Sequence, residues 1–153
     1  RYVFELTDDD ACEITEIRIV LERLAIERAA ANISEDDRVV LYGLLHQMEE
    51  AAANGDSAAF AKHDIALHRT IWRQAQSPNL LRILGSVLGT IFILTERYVT
   101  AGGYNFEHSL KTHRELLDSL CAGDGVAAAN IMEKQHMGTL TEIRKGRHLG
   151  KNR

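Results

Sequence analysis

The sequence predicts an all-α fold, an antiparallel bundle of about six helices, and three observations predict it. Apolar residues recur three and four apart in six separate stretches. The breaks between them are short and carry cap and turn residues, such as Asn54-Gly55-Asp56 and Gly123-Asp124-Gly125. A single proline occurs among 153 residues, and no alternating run makes a convincing strand. Six helices joined by short turns pack as antiparallel neighbours, in one domain over residues 1–153.

In chain order, Arg1 to Thr7 reads as an extended lead-in, and Asp8 to Asp10 as the acidic start of a helix running to about Asn32. Its apolar stripe is Ile14, Ile17, Leu21, Leu24 and the stem of Arg28, with Arg18 and Glu22 flanking. Ser34 with Asp37 resembles a capping box for the second helix, which buries Val40, Leu41, Leu44, Leu45 and Met48 and runs to about Ala53. Asp56 or Ser57 caps the third, which ends at Ser77-Pro78. The fourth, about Asn79 to Tyr98, is apolar nearly all round, so other helices enclose it or it lies in a subunit interface. Its Gly85 and Gly89 would allow a backbone to approach closely. The fifth spans about Phe106 to Cys121 and the last Val126 to about Lys145.

The third helix carries the first chemical signal. Phe60, Asp64, Leu67, His68, Ile71 and Ala75 share one face, so a carboxylate and an imidazole sit four residues apart on a stripe that should be buried. An unpartnered buried polar group costs roughly 2–7 kcal/mol, so both need partners. The pattern recurs: His113 interrupts the stripe Phe106, Leu110, Leu117, Leu120, and His136 the stripe Ala129, Met132, Leu140, Ile143. A lone histidine on an apolar stripe is more often a satisfied core residue than a ligand, and Asp64 could simply bond His68. Three intrusions toward one interior favour an Asp-plus-three-His donor set for a divalent metal such as Zn, Ni or Mn. His46, His63, His108 and His148 fall on surface positions, and Trp72, Tyr98 and Tyr104 read as packing.

Composition narrows the function classes. Net charge is −4, and the basic cluster from Arg144 to Arg153 reads as a solvated tail, so this chain alone is not a nucleic-acid binder. Nothing approaches about 18 consecutive apolar residues, so no membrane span is expected. Cys12 and Cys121 show no metal or redox spacing and fit a reducing cytoplasm.

Several motifs together resemble the effector-binding domain of FadR-type GntR-superfamily regulators, the FCD domain. They are Glu16-Ile-Arg18 with Glu22, Asp64 and His68 followed by Ser77-Pro78-Asn79, Thr112-His113 through Leu120 to Gly123-Asp124, and His136-Met137. The resemblance covers nearly the whole chain. It implies a helical bundle holding a divalent metal on Asp64, His68, His113 and His136. It also implies a small carboxylate effector bound beside the metal by Arg18, with Arg97 a second candidate. The family's spacing from the Gly-Asp turn would place the last ligand at Gln135; helical periodicity favours His136, with Gly125 read as an insertion in the turn. A winged helix-turn-helix DNA-binding domain precedes this domain in the family and is absent from this chain. The resulting expectation is a homodimeric metabolite sensor that reaches DNA only through that absent domain. Two readings compete with it: a metal-dependent helical hydrolase or oxygenase, for which Glu22 would be a guess at the general base, and a ligand-free dimerisation bundle.

Overall fold

The computed structural model describes residues 6–100 and 102–146. The lead-in before Leu6 and the basic tail beyond Gly146 lie outside the described residues. Six helices follow in order: α1 (Asp8–Ala29), α2 (Glu35–Ala53), α3 (Ser57–Gln74), α4 (Pro78–Thr100), α5 (Phe106–Cys121) and α6 (Gly125–Arg144). No strand occurs among the described residues.

Local chemistry sets the starts of these helices. Thr7 with Asp10, and Ser34 with Asp37, form reciprocal capping boxes, so aspartate replaces the usual glutamate in both. Asp56, Asn105 and Asp124 each accept a backbone N–H from the first turn of α3, α5 and α6. Pro78 opens α4, where its missing N–H costs nothing.

Five helices close a ring through the neighbours α1–α6, α6–α5, α5–α2, α2–α3 and α3–α1, and α4 lies against α1 and α3. One apolar cluster takes in Phe60, Leu67 and Ile71 of α3 and Leu116, Leu117 and Leu120 of α5. A second joins α4 to α1 and α3 through Ala25, Ile65, Trp72, Leu80, Leu84 and Ile91. Gly125 explains a close approach. A Cβ there would stand 2.9 Å from both the Glu27 carbonyl oxygen and the Ala30 Cβ, so the start of α6 seats on the end of α1 only with glycine. Gly125 is therefore a packing residue as well as the first residue of α6.

Two expectations need correction, and a third, left between two alternatives, is narrowed. The inner row of α1 is Ala11, Thr15, Ile19, Glu22, Ala25, Ile26 and Ala29, whereas Ile17 and Leu24 are exposed. Small residues face inward because α6 and α3 both pack closely on this helix. Val40 of α2 is likewise exposed, the row being Leu41, Leu45 and Met48. Helix α4 is not enclosed: Leu80, Leu84, Ile91 and Val99 are buried, and Leu81, Ile83 and Ile93 face outward. By length and composition alone α4 could cross a bilayer, but its inner face is committed to α1 and α3.

Candidate metal centre and its cavity

Inside the ring, α3 presents Asp64 and His68 on successive turns, α5 presents His113, α6 presents His136 and α1 presents Glu22. All five are buried, and His113 is wholly so. His113 Nε2 lies 2.8 Å from Asp64 Oδ1 and 3.3 Å from His68 Nε2, and His68 Nε2 lies 3.7 Å from the same Oδ1. One donor atom from each of these three residues thus falls within 4.8 Å of the others.

The outer nitrogens decide what the inner ones can do. His113 Nδ1 is 2.8 Å from the Ser109 carbonyl, which only accepts, so Nδ1 carries the hydrogen. His68 Nδ1 faces Glu22 Oε2 at 3.3 Å and is positioned to donate to it. With both Nδ1 atoms used as donors, both neutral rings turn a lone pair toward Asp64 Oδ1. Lone pairs at such separations repel unless a positive charge lies among them, either a proton or a metal ion. Imidazoles anchored through Nδ1 to a carbonyl or carboxylate are a common arrangement around bound metals. The donor set therefore fits a divalent cation of the zinc, nickel or manganese kind.

His136 sits beside this group. Its Nε2 lies 2.8 Å from Glu22 Oε2, and its ring centroid is 6.0 Å from that of His68. Glu22 is the hub: Oε2 meets His136 and His68, and Oε1 accepts from Arg18 Nε at 2.7 Å. Arg18 Nη2 is buried without a hydrogen-bond partner among the described residues, and Arg18 lines the adjoining cavity. Arg97 is placed elsewhere. It is exposed at the end of α4, donates to the Leu6 carbonyl at 3.3 Å, and is not on the cavity wall. Gln135 and His136 both reach the cavity, but it is the imidazole that engages Glu22.

With a proton rather than a metal ion among these donors, burial and the neighbouring charges set each group's pKa. Burial would raise the Asp64 carboxyl, but the charge of His68 and the hydrogen bond from His113 outweigh it and bring the pKa down to about 2. Glu22 is likewise buried yet held well below the usual carboxylate range by Arg18, His68 and His136. Burial works against a charged His113, but its bond to Asp64 prevails and raises it. His136 moves the other way, down to about 4, because burial and the Arg18 charge outweigh Glu22. Two charged carboxylates thus share the interior.

The cavity beside the centre measures about 60 Å³ and is walled by Arg18, Asp64, His68 and His136 on one side and by Tyr98 and Tyr104 on another. The two tyrosines are packed edge to face, as packing residues would be, but they also line this cavity. Gln135 and Thr139 complete the wall. The four-residue spacing from Arg18 to Glu22 was the sequence signal for the Glu22 hub. Thr139 gave none, being a polar residue on a mixed edge of α6, and Gln135 was marked only by the family's spacing, as a ligand position rather than as cavity wall.

The helical ring thus encloses a buried nitrogen–oxygen donor set beside an arginine-lined cavity. Residues 13–138 match the FCD domain family, and the chain belongs to that family. It is 32% identical over 130 residues to a probable D-xylose utilization operon transcriptional repressor of Paenarthrobacter nicotinovorans. That match takes in 85% of this chain and 56% of the repressor, so the chain spans little more than half the length of this curated relative. Among solved structures, E. coli McbR/YncC superposes with a TM-score of 0.82 at 19% identity, covering 93% of this chain and 68% of that one. Streptococcus agalactiae GntR superposes with a TM-score of 0.73 at 21% identity, covering 86% and 58%. These two likenesses establish the shared all-helical fold.

Proposed function

We propose that this chain is the metabolite-sensing domain of a GntR-type transcriptional regulator, working in the cytoplasm. Asp64, His68 and His113 hold a divalent metal, and His136 serves as a fourth ligand on turning from Glu22. A small carboxylate bound at Arg18 beside the metal is the signal. One observation carries this reading: three donor atoms converge, and their two imidazoles are each held from behind so that a lone pair faces the common point. The free Arg18 Nη2 at the cavity supports the carboxylate, because a guanidinium edge with an unused donor suits an anionic oxygen.

The output is DNA binding by a winged helix-turn-helix domain preceding this one in the full protein. The repressor relative, longer than this chain, supports that arrangement. The signal passes through a homodimer, whose interface is the outward apolar surface of α4 and the neighbouring α1. Leu81, Ile83 and Ile93 with Ile17 and Leu24 are exposed there, and a methyl group added at Gly85 or Gly89 would meet nothing within 4 Å. An effector that favours one dimer shape would alter the spacing of the DNA-reading domains. On this reading the chain binds and does not catalyse, in keeping with the repressor it is similar to.

Thermal melting of the zinc-loaded chain against a panel of small carboxylates tests the proposal. At 100 times its dissociation constant an effector adds about 2.7 kcal/mol of stability. That gain should vanish in Arg18→Gln and after chelation of the metal. A carboxylate shift unchanged by both treatments would overturn it.

A further inference from the structure

A net charge of −4 argues against nucleic-acid binding by the chain as a whole, but that charge is unevenly spread. From Ser57 to Thr95 the sequence holds four cations, Lys62, Arg69, Arg73 and Arg82, and a single carboxylate, Asp64. Asp64 is buried in the donor set, whereas all four cations are exposed. Elsewhere Arg23 pairs with Glu27 and Glu133, Arg38 with Glu35, Arg114 with Glu49 and Arg144 with Glu16. Lys62, Arg69, Arg73 and Arg82 have no carboxylate partner among the described residues.

Helical spacing makes a row of these charges. Lys62, Arg69 and Arg73 share one face of α3, turned away from the buried row of Asp64 and His68. At 1.5 Å per residue the row runs about 16 Å, enough to span a DNA major groove roughly 12 Å wide. Arg28 adds a further cation at its foot: exposed at the end of α1, it donates to Ser77 Oγ at 3.0 Å, in the turn that leads to Arg82. Between the cations of α3 stand Ala66 and Thr70, neither large nor aromatic. A protein partner finds no apolar anchor there, and an unpaired base no ring to stack on. A duplex phosphate backbone needs neither, only fixed positive charge, and guanidinium groups suit it well.

We propose that the outer face of α3 is a docking surface for the phosphate backbone of double-stranded DNA, engaged without regard to sequence. This goes beyond the sensor reading, whose donor set lies on the opposite face of α3, and either can fail without the other. Fluorescence anisotropy of the chain with a labelled duplex of about 20 base pairs, from about 20 to 150 mM NaCl, provides the test. The logarithm of affinity should fall against that of salt with a slope of about −4, near −0.9 for each phosphate engaged. Arg69→Gln should make the slope shallower by about 1. Lys62→Gln, Arg69→Gln and Arg73→Gln together should make it shallower by about 3 and lower affinity at least about tenfold at 50 mM salt, with the melting temperature close to wild type. Neutralising Arg147, Lys151 and Arg153 in the terminal cluster instead should change affinity less than about threefold. No duplex binding at the lowest salt, a triple variant that binds like wild type, or a terminal variant that loses as much as the triple one would overturn the assignment. Poly-glutamate displacing the duplex at equal charge would overturn it in favour of acidic protein segments. A single strand of equal length binding as tightly as the duplex would overturn it too.

Discussion

Two interiors share the same helices, and they are held together by different means. In the apolar one, Phe60, Leu116, Leu117 and Leu120 are fully buried and interchangeable in kind, each contributing area removed from water. In the polar one, Glu22, Asp64, His68, His113 and His136 are buried too, but each is tolerable only because of a particular neighbour. Removing a member of the first interior leaves a void. Removing a member of the second leaves a stranded charge or a dangling donor. The apolar interior holds the bundle together, and the polar one is where a ligand can act on it.

The contrast can be broken by substitution. Phe60→Ala should cost about 3–5 kcal/mol in denaturant unfolding, from lost burial and the void left among Leu67, Tyr104 and Phe106. Its metal affinity, measured under conditions where the variant is folded, should change little. Glu22→Ala should also cost about 3–5 kcal/mol, because Arg18 and His136 lose their shared acceptor in a buried setting. Unlike Phe60→Ala, it should weaken metal binding, because His68 Nδ1 loses its anchor. If both variants affected metal binding equally, the division into two interiors would be wrong.

Smaller effects sharpen the picture at the periphery. Gly125→Ala should destabilise by about 1–3 kcal/mol, since the added methyl meets backbone at the end of α1 that cannot easily retreat. Tyr42 donates to Asp118 at 2.5 Å, linking α2 to α5, and Tyr42→Phe should cost at most about 1 kcal/mol. Burial and the Asp118 carboxylate push the Tyr42 hydroxyl up from 10.0 to about 12. The folded chain therefore holds this proton more tightly than the unfolded one. The stabilisation is complete below about pH 10 and fades as pH rises toward 12. Unfolding curves of wild type and Tyr42→Phe should converge over that interval.

The two interiors also differed in how legible they were. The row from Phe60 to Ile71 was plain in the sequence because large apolar residues at helical spacing mark a buried face, and the intruding Asp64 and His68 stood out against it. Helix α1 was misread for the converse reason. Its buried row consists of alanines with Thr15 and Glu22, so hydrophobicity pointed instead to Ile17 and Leu24, which face outward. Small residues bury by letting a neighbouring backbone come close, and that depends on a partner helix the local pattern does not reveal. The setting of α4 was similarly undetermined, since an apolar circumference fits both a core and an interface. Arg97 is by sequence a weaker candidate than Arg18 for the same pocket, and the fold separates the buried guanidinium of Arg18 from that of Arg97, bonded to Leu6 at the surface.

The central claim is that the polar interior is built around a cation, and metal content per chain tests it most directly. After equilibration with zinc and exhaustive dialysis, the purified chain should retain one ion per molecule by elemental analysis. Asp64→Ala and His113→Ala should retain none, while His46→Ala, altered at an exposed site on α2, should match wild type. A wild-type chain that keeps no metal, or a His113→Ala variant that keeps as much, would contradict the account.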